Sequence, residues 1–165
     1  MVAKRSIVTM IGVISDTHGL VRPEAIDALK GVERIIHAGD IGSPDVLRIL
    51  QTIAPVIAVR GNNDRDEWAE VLPVIESVDV GAHRFYVLHE LDRLDIDLEA
   101  ADYSAVIFGH SHKPVAERRK GVLYLNPGSA GPRRFRLPVT LARLHIRGRE
   151  LESELIELIP ARVVV

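Results

Sequence analysis

The sequence predicts an α/β fold, a four-layer α/β/β/α sandwich of two mixed sheets flanked by helices, with residues 1–165 forming one domain. Two observations carry this reading. Through the first half, apolar runs of strand length alternate with helical segments, the pattern of β-α-β units in a parallel sheet. Through the second half, apolar runs come in pairs split by glycine-bearing turns, the pattern of hairpins. Parallel units followed by hairpins give two sheets packed face to face, with helices outside.

The elements follow in order. Val8 to Ser15 reads as a buried strand. Pro23 to Leu29 reads as a short helix with proline near its start, where a missing N–H costs least. Arg34 to Ala38 is a strand. Ser43 is placed to cap a helix running through Ile53, with Pro44 at its first position. Val56 to Val59 is again a strand. Val74 to Val80 and His83 to Leu88 flank Gly81-Ala82 as a hairpin. Leu94 to Ala101 is expected as one more helix, and Ala105 to Phe108 as a buried strand. Val115 to Arg119 and Val122 to Leu125 flank Lys120-Gly121. Thr140 to Ile146 and Glu150 to Leu158 flank Arg147-Gly148-Arg149. In this last strand Leu151, Ser153 and Leu155 share one face, and Glu152, Glu154 and Ile156 the other.

Composition narrows the function classes. A chain of 165 residues that is 47% hydrophobic supports a core of useful size. A net charge of −2 and a pI near 6.4 give no general attraction to nucleic acid or to an acidic membrane. The absence of cysteine removes disulfides, thiolate metal sites and thiol nucleophiles. Lys4 and Arg5 precede an apolar run that Asp16 soon breaks, too short for a signal-peptide core, and no stretch is long enough to span a bilayer. A cytoplasmic protein with no membrane partner is therefore expected. The apolar Val163-Val164-Val165 tail is a candidate contact with a second copy in a homo-oligomer, or packs on its own sheet.

Chemistry-bearing motifs stand at the ends of the apolar runs. Asp16-Thr17-His18 follows the first, Gly39-Asp40 the second, Gly61-Asn62-Asn63-Asp64 the third, and Gly109-His110-Ser111-His112 the run from Ala105. His89 follows Phe85-Tyr86-Val87-Leu88. Each motif alone is weak: an Asp-x-His arises by chance, a His-x-His is often two residues on one strand face, and Gly-Asn is usually a turn. Together they put imidazole, carboxylate and amide groups on one rim, and these are ligands for divalent metals of intermediate hardness. The set proposes a site for metal ions, with two ions expected.

With this ordered set the chain resembles the calcineurin-like metallophosphoesterase superfamily, in particular small single-domain prokaryotic phosphodiesterases. The resemblance runs from Ile11 to Asn126-Pro127-Gly128-Ser129 and the strands beyond. It implies a dinuclear, metal-dependent phosphodiesterase acting on a small phosphate ester through a metal-bridging hydroxide. It places Asp40 between the two metals, with Asp16, His18 and His112 on the first and Asn62, His89 and His110 on the second. Asn63, Asp64 and His110 are the residues it sets beside the reacting phosphoryl group. Manganese is the metal expected first, with Ni, Fe, Zn and Co also compatible with mixed N/O donors.

The chain departs from the wider family at two places. Many members have a histidine at position 63 that protonates the leaving group. Asn63 cannot do so, which removes a step worth about 10²–10⁴-fold or moves it elsewhere. Glu90 stands where many relatives have glycine, either solvated, the reading preferred here, or an acceptor for the neighbouring histidine. His37 is expected to pack or to orient Asp40, and His83 and His145 to serve structure. Asn126-Pro127-Gly128-Ser129 is expected to shape the rim. The Arg133, Arg134 and Arg136 cluster reads as solvated charge, with a phosphate clamp as its alternative. The competing functions are a catalytically weak scaffold of the same fold and a narrow-specificity nucleotide hydrolase. The seven intact candidate ligands argue against the scaffold.

Overall fold

Two five-stranded sheets face each other in the computed structural model, which describes residues 7–160. The Val163-Val164-Val165 tail lies outside these residues. The first sheet has β1 (Thr9–Ile14), β2 (Arg34–His37) and β3 (Val56–Ala58) in parallel, extended on the β1 side by antiparallel β9 (Val139–Arg147) and β10 (Glu150–Ile159). The second contains β4 (Ile75–Val80), β5 (His83–Leu88), β6 (Ala105–Ile107), β7 (Val115–Arg119) and β8 (Val122–Asn126). Its order is β4-β5-β6-β8-β7, with β5, β6 and β8 parallel and β4 and β7 antiparallel at the edges.

Alternation along each strand sorts side chains into layers. Ile11 and Val13 of β1, with Ile36 of β2, meet Phe85, Val87, Ile107 and Leu125 between the sheets. Gly12 and Ile14 point the other way, toward α1 (Pro23–Ala28) and α2 (Pro44–Gln51). There Ala25, Leu29, Val46 and Leu50 close a second core with Ile14, Ile35 and Leu141. Helix α2 begins as expected: Ser43 Oγ accepts the Asp45 N–H at 3.2 Å, and Pro44 fills the first position. On β10, Leu151 faces the inter-sheet core while Ile156 packs with the helices.

The helix expected over Leu94 to Ala101 does not form. A 3-10 turn at Leu91–Arg93 is followed by turns through Asp102. Asp97 Oδ1 accepts the Ala100 N–H at 3.1 Å, and Asp102 closes the segment at φ 62. Asp97 thus caps a single helical turn, with the Ala101 N–H on Asp97 O at 3.0 Å, and the left-handed Asp102 stops it there. The segment still covers the second sheet, since Leu91, Leu94, Leu98 and Tyr103 pack on Tyr86, Leu88, Val106 and Phe108. The sandwich is therefore present, with its fourth layer reduced to turns. The last hairpin is also one residue tighter than expected, turning on Gly148-Arg149 alone.

This topology positions the site. The parallel strands of both sheets end on the same rim, and ligand sites in such sheets lie at the carboxyl ends of the strands. Among the described residues no helix is long and apolar enough to cross a membrane.

Candidate metal centre

Each candidate ligand lies one to five residues past the end of a parallel strand. The loops carrying them are tied by backbone bonds that continue the β1–β2 pairing: Asp16 N–H to Gly39 O at 3.0 Å, His18 N–H to Asp40 O at 3.0 Å, and Gly19 N–H to Ile41 O at 2.8 Å. The Gly109 N–H donates to His89 O at 3.0 Å, and Ala130 N–H to Ser15 O at 3.1 Å, which brings in the second sheet and the loop after β8. Five of the seven candidates, Asp16, His18, Asp40, His110 and His112, hold φ between 45 and 72. Residues other than glycine rarely take this left-handed region, and such strain concentrates at functional sites.

The side chains converge. Asp16, His18 and His112 form one compact group of potential ligand atoms, and Asp16, Asp40 and His89 form another. His112 Nε2 lies 3.2 Å from Asp16 Oδ1 and 3.3 Å from His18 Nε2. His89 Nε2 lies 3.4 Å from Asp40 Oδ2 and 3.9 Å from Asp16 Oδ1. Asp40 Oδ2 is also 3.8 Å from His18 Nε2. Both carboxylates thus reach both halves of the site, whereas the resemblance had set Asp40 alone between them. Asn62 and His110 stand beside the second group and face each other, Asn62 Oδ1 to His110 Nδ1, at 3.2 Å. His110 is the most open of the histidines here, with half its side chain exposed.

The donor set fits divalent cations. Asp16 Oδ1 and His89 Nε2 are buried, have no hydrogen-bond partner and point into the same space. Such orphaned polar atoms are costly unless something satisfies them. Burial pushes the carboxyl pKa values of Asp16 and Asp40 up, but their neighbours outweigh it. His112, His89 and the Ser15 hydroxyl hold Asp16 below its ordinary value. His89 and the Asn63 donors do the same for Asp40. Burial pushes His89 down, and the Asp40 and Asp16 carboxylates lift it above its ordinary value. Ionised carboxylates facing imidazoles across a buried gap are what a cation would replace protons to satisfy.

Several surrounding residues hold this arrangement. Ser15 Oγ donates to Asp16 Oδ2 at 2.7 Å, as does the His110 N–H at 3.1 Å. Asn126 Nδ2 donates to Gly109 O at 3.0 Å, and Ser129 Oγ to Asp16 O at 2.9 Å, so the 126–129 loop shapes the rim as expected. The role of Ser15 was not legible from its place beside a motif, because a buried strand-end serine is ordinarily a packing residue. Close approach requires Gly61 and Gly109. A Cβ at Gly61 would lie 2.1 Å from Asp40 N and Oδ1, and one at Gly109 would lie 2.1 Å from Ser15 Oγ.

Three expectations about polar neighbours need correction. Asp64 is not free for proton chemistry: its carboxylate accepts the N–H groups of Ile41 (3.1 Å), Gly42 (2.9 Å) and Gly61 (2.9 Å), clamping two loops together. Asn63 turns inward, donating its N–H to Asp40 Oδ1 at 2.9 Å and its side-chain amide to Oδ2 at 2.8 Å. Glu90 is not simply solvated. It pairs with Arg93, and its Oε1 is 3.9 Å from His110 Nδ1. By contrast, His83 is structural, held between Ser104 Oγ and Gly148 O at 3.0 Å each, and His145 pairs with Glu154.

His37 is fully buried and lies in neither group of potential ligands. Its Nδ1 accepts the Gly39 N–H at 3.1 Å, which leaves the proton on Nε2. Nε2 then donates to Thr17 Oγ1 at 2.9 Å, and that hydroxyl donates to Ile41 O at 3.0 Å. Burial lowers the His37 pKa from 6.5 to about 4, against the opposing pull of the Asp16 and Asp64 carboxylates. A histidine whose folded pKa is depressed stabilises the fold above its unfolded pKa, and that stability is lost as pH falls toward the folded value. The raised His89 contributes fully below its ordinary pKa, and the lowered carboxylates contribute fully above theirs, so neither changes much within this window. The metal-free protein should therefore lose roughly 1–2 kcal/mol between about pH 6 and about pH 4.5. Urea unfolding at both values checks this, and His37→Gln should flatten the difference.

Comparison with known proteins agrees with the geometry. Residues 10–149 match the calcineurin-like phosphoesterase superfamily domain. A probable metallophosphoesterase of Methanothermobacter thermautotrophicus is 38% identical over 162 residues, covering 89% of this chain and 91% of that protein. A phosphodiesterase of Methanocaldococcus jannaschii is 31% identical, covering 72% of this chain and 82% of that protein. The structure of an archaeal phosphodiesterase superposes with a TM-score of 0.74 at 28% identity, covering 90% of this chain and all of that one. The chain belongs to the calcineurin-like phosphoesterase superfamily.

Proposed function

We propose that this member of the calcineurin-like phosphoesterase superfamily is a phosphodiesterase that works with two divalent metal ions. The observation that carries the reading is the pair of compact groups sharing Asp16, with the unpartnered Asp16 Oδ1 and His89 Nε2 aimed into the gap. Asp16, His18 and His112 would hold one ion, Asn62, His89 and His110 the other, and Asp40 would touch both. Bound there, the ions would lower the pKa of water and polarise a phosphoryl oxygen. Imidazole and carboxylate donors with one amide suit manganese, our first assignment, and also Ni, Fe, Zn or Co.

The chain's own residues orient and balance this site. Asn63 and Ser15 fix the two carboxylates by donating to their oxygens. His110, on the open side of the site, would donate to a phosphoryl oxygen of a bound ester. No residue at position 63 can hand a proton to the leaving group, because an amide is not an acid at neutral pH.

Turnover should therefore depend steeply on leaving-group pKa. Aryl diesters with nitrophenolate-like leaving groups should outrun alkyl diesters by more than their intrinsic reactivity alone requires in enzymes with a general acid. The missing acid is worth about 10²–10⁴-fold for poor leaving groups. A series of phosphodiesters, measured in single turnovers on metal-loaded protein, reads the slope. A flat profile would rule out the account of position 63.

A further inference from the structure

We infer that Phe135 is a stacking platform for a flat aromatic arm of the ester, of nucleoside or aryl type, beside the metal centre. The inference builds on the phosphodiesterase reading and names a substrate class for it.

Outside the candidate ligands, three residues other than glycine among the described residues have a left-handed backbone: Asp102, Lys120 and Phe135. Asp102 closes a turn and Lys120 sits at a hairpin tip, where this conformation is common. Phe135 also lies in a turn, at φ 53, but it is the one bulky aromatic residue of the three, and such residues are disfavoured there. Its side chain is 86% exposed, the reverse of what hydrophobic burial favours. Both costs fall on one residue.

The loop is held so that the ring stays out. Arg133 donates to Leu137 O at 3.5 Å and to Pro160 O at 2.7 Å, which pins the loop to the end of β10. Arg22 donates to Gly131 O from Nε at 3.3 Å and from Nη2 at 3.2 Å. The Leu137 N–H closes a turn on Arg134 O at 3.2 Å. Arg133 thus serves as an anchor rather than as free charge, and Arg134 and Phe135 are left facing outward.

The direction they face matters. Pro132, Arg133, Arg134 and Phe135 line an open cleft of about 390 Å³ together with the candidate ligands His18 and His112. A phosphate held at the centre would project one ester arm into this cleft. A planar π-face beside a guanidinium suits an aromatic group attached to a phosphate: the ring stacks on phenylalanine and the anion attracts arginine. An alkyl arm would gain little from a single exposed ring.

Product-like ligands test this without relying on turnover. Thymidine 5′-phosphate and methyl phosphate share the phosphoryl group and differ in the aromatic arm. On manganese-loaded protein, titration calorimetry should show thymidine 5′-phosphate binding tighter. Phe135→Asn removes the ring yet suits the left-handed backbone, so the loop should persist. It should weaken thymidine 5′-phosphate about 10-fold while changing methyl phosphate less than about 2-fold. Phe135→Tyr keeps the ring and should keep the preference. The platform is overturned if the native protein shows no preference, if Phe135→Asn weakens both ligands alike, or if Phe135→Tyr behaves as Phe135→Asn. If the binding pattern holds but no phosphodiester is cleaved, the platform stands and the phosphodiesterase reading fails.

Discussion

Asp40→Ala should strip the protein of both metal ions and lower phosphodiester turnover by at least about 10³-fold. Asp40 is buried and reaches His89 at 3.4 Å and His18 at 3.8 Å, so its loss opens both halves of the site at once. Asn63 would lose both of its acceptors and be freed to swing outward. Elemental analysis of protein purified without chelator is the direct check, alongside circular dichroism to show that the fold survives. Full occupancy in folded Asp40→Ala protein would remove Asp40 from the position between the metals and leave Asp16 as the shared ligand. The outcome matters because the geometry alone gives both carboxylates access to both sides.

Gly61→Ala should be nearly as damaging, although it changes no ligand. The added methyl would sit 2.1 Å from Asp40 N and 2.9 Å from Asp40 Cα, and backbone atoms cannot rotate aside. The loops after β2 and β3 would have to part, breaking the clamp in which Asp64 accepts from Ile41, Gly42 and Gly61. Overpacking of this kind costs about 1–3 kcal/mol, which corresponds to a fall in Tm of roughly 2–12 °C for a domain of this size. Because the displaced group is Asp40, activity should fall by about 10²-fold or more, through lost positioning rather than lost chemistry. Thermal unfolding and metal titration together read both effects. A variant with native Tm and native metal affinity would show that the two loops separate without cost.

How far the sequence foretold this structure depended on how local each cause was. The strands and their ligand-bearing ends were legible because a buried parallel strand and the motif that follows it are contiguous. Asp16-Thr17-His18 is weak alone and became legible because the other motifs follow their own strands in the same order. The hairpins at Gly81-Ala82 and Lys120-Gly121 were legible because their strands and turns are contiguous too. The segment from Leu94 was not: its spacing suits a helix, but only one turn forms before Asp102 goes left-handed. Asp64 was misjudged because its three donors come from two loops, and a pairing of that kind is set by the assembled rim. The solvated reading preferred for Glu90 left out Arg93, three residues on, which pairs with it. Phe135 gave no signal, since neither its backbone conformation nor its exposure is written in residue type.

The bonds that carry β1–β2 pairing past the strand ends have a thermodynamic consequence. Asp16, His18 and Gly19 are tied to Gly39, Asp40 and Ile41 by the same kind of ladder that holds the sheet. The loops therefore belong to the cooperative unit of the core, not to a fringe that opens on its own. There is then no broad temperature interval in which the sandwich persists while its ligand-bearing rim has melted. A core substitution at Ile11 or Val13, remote from any ligand, would draw down the stability of the site in step with that of the fold. The reverse coupling also holds. Whatever binds at the rim in the folded state alone stabilises the whole sheet by mass action, so occupancy of this site acts as a reserve of stability for the molecule.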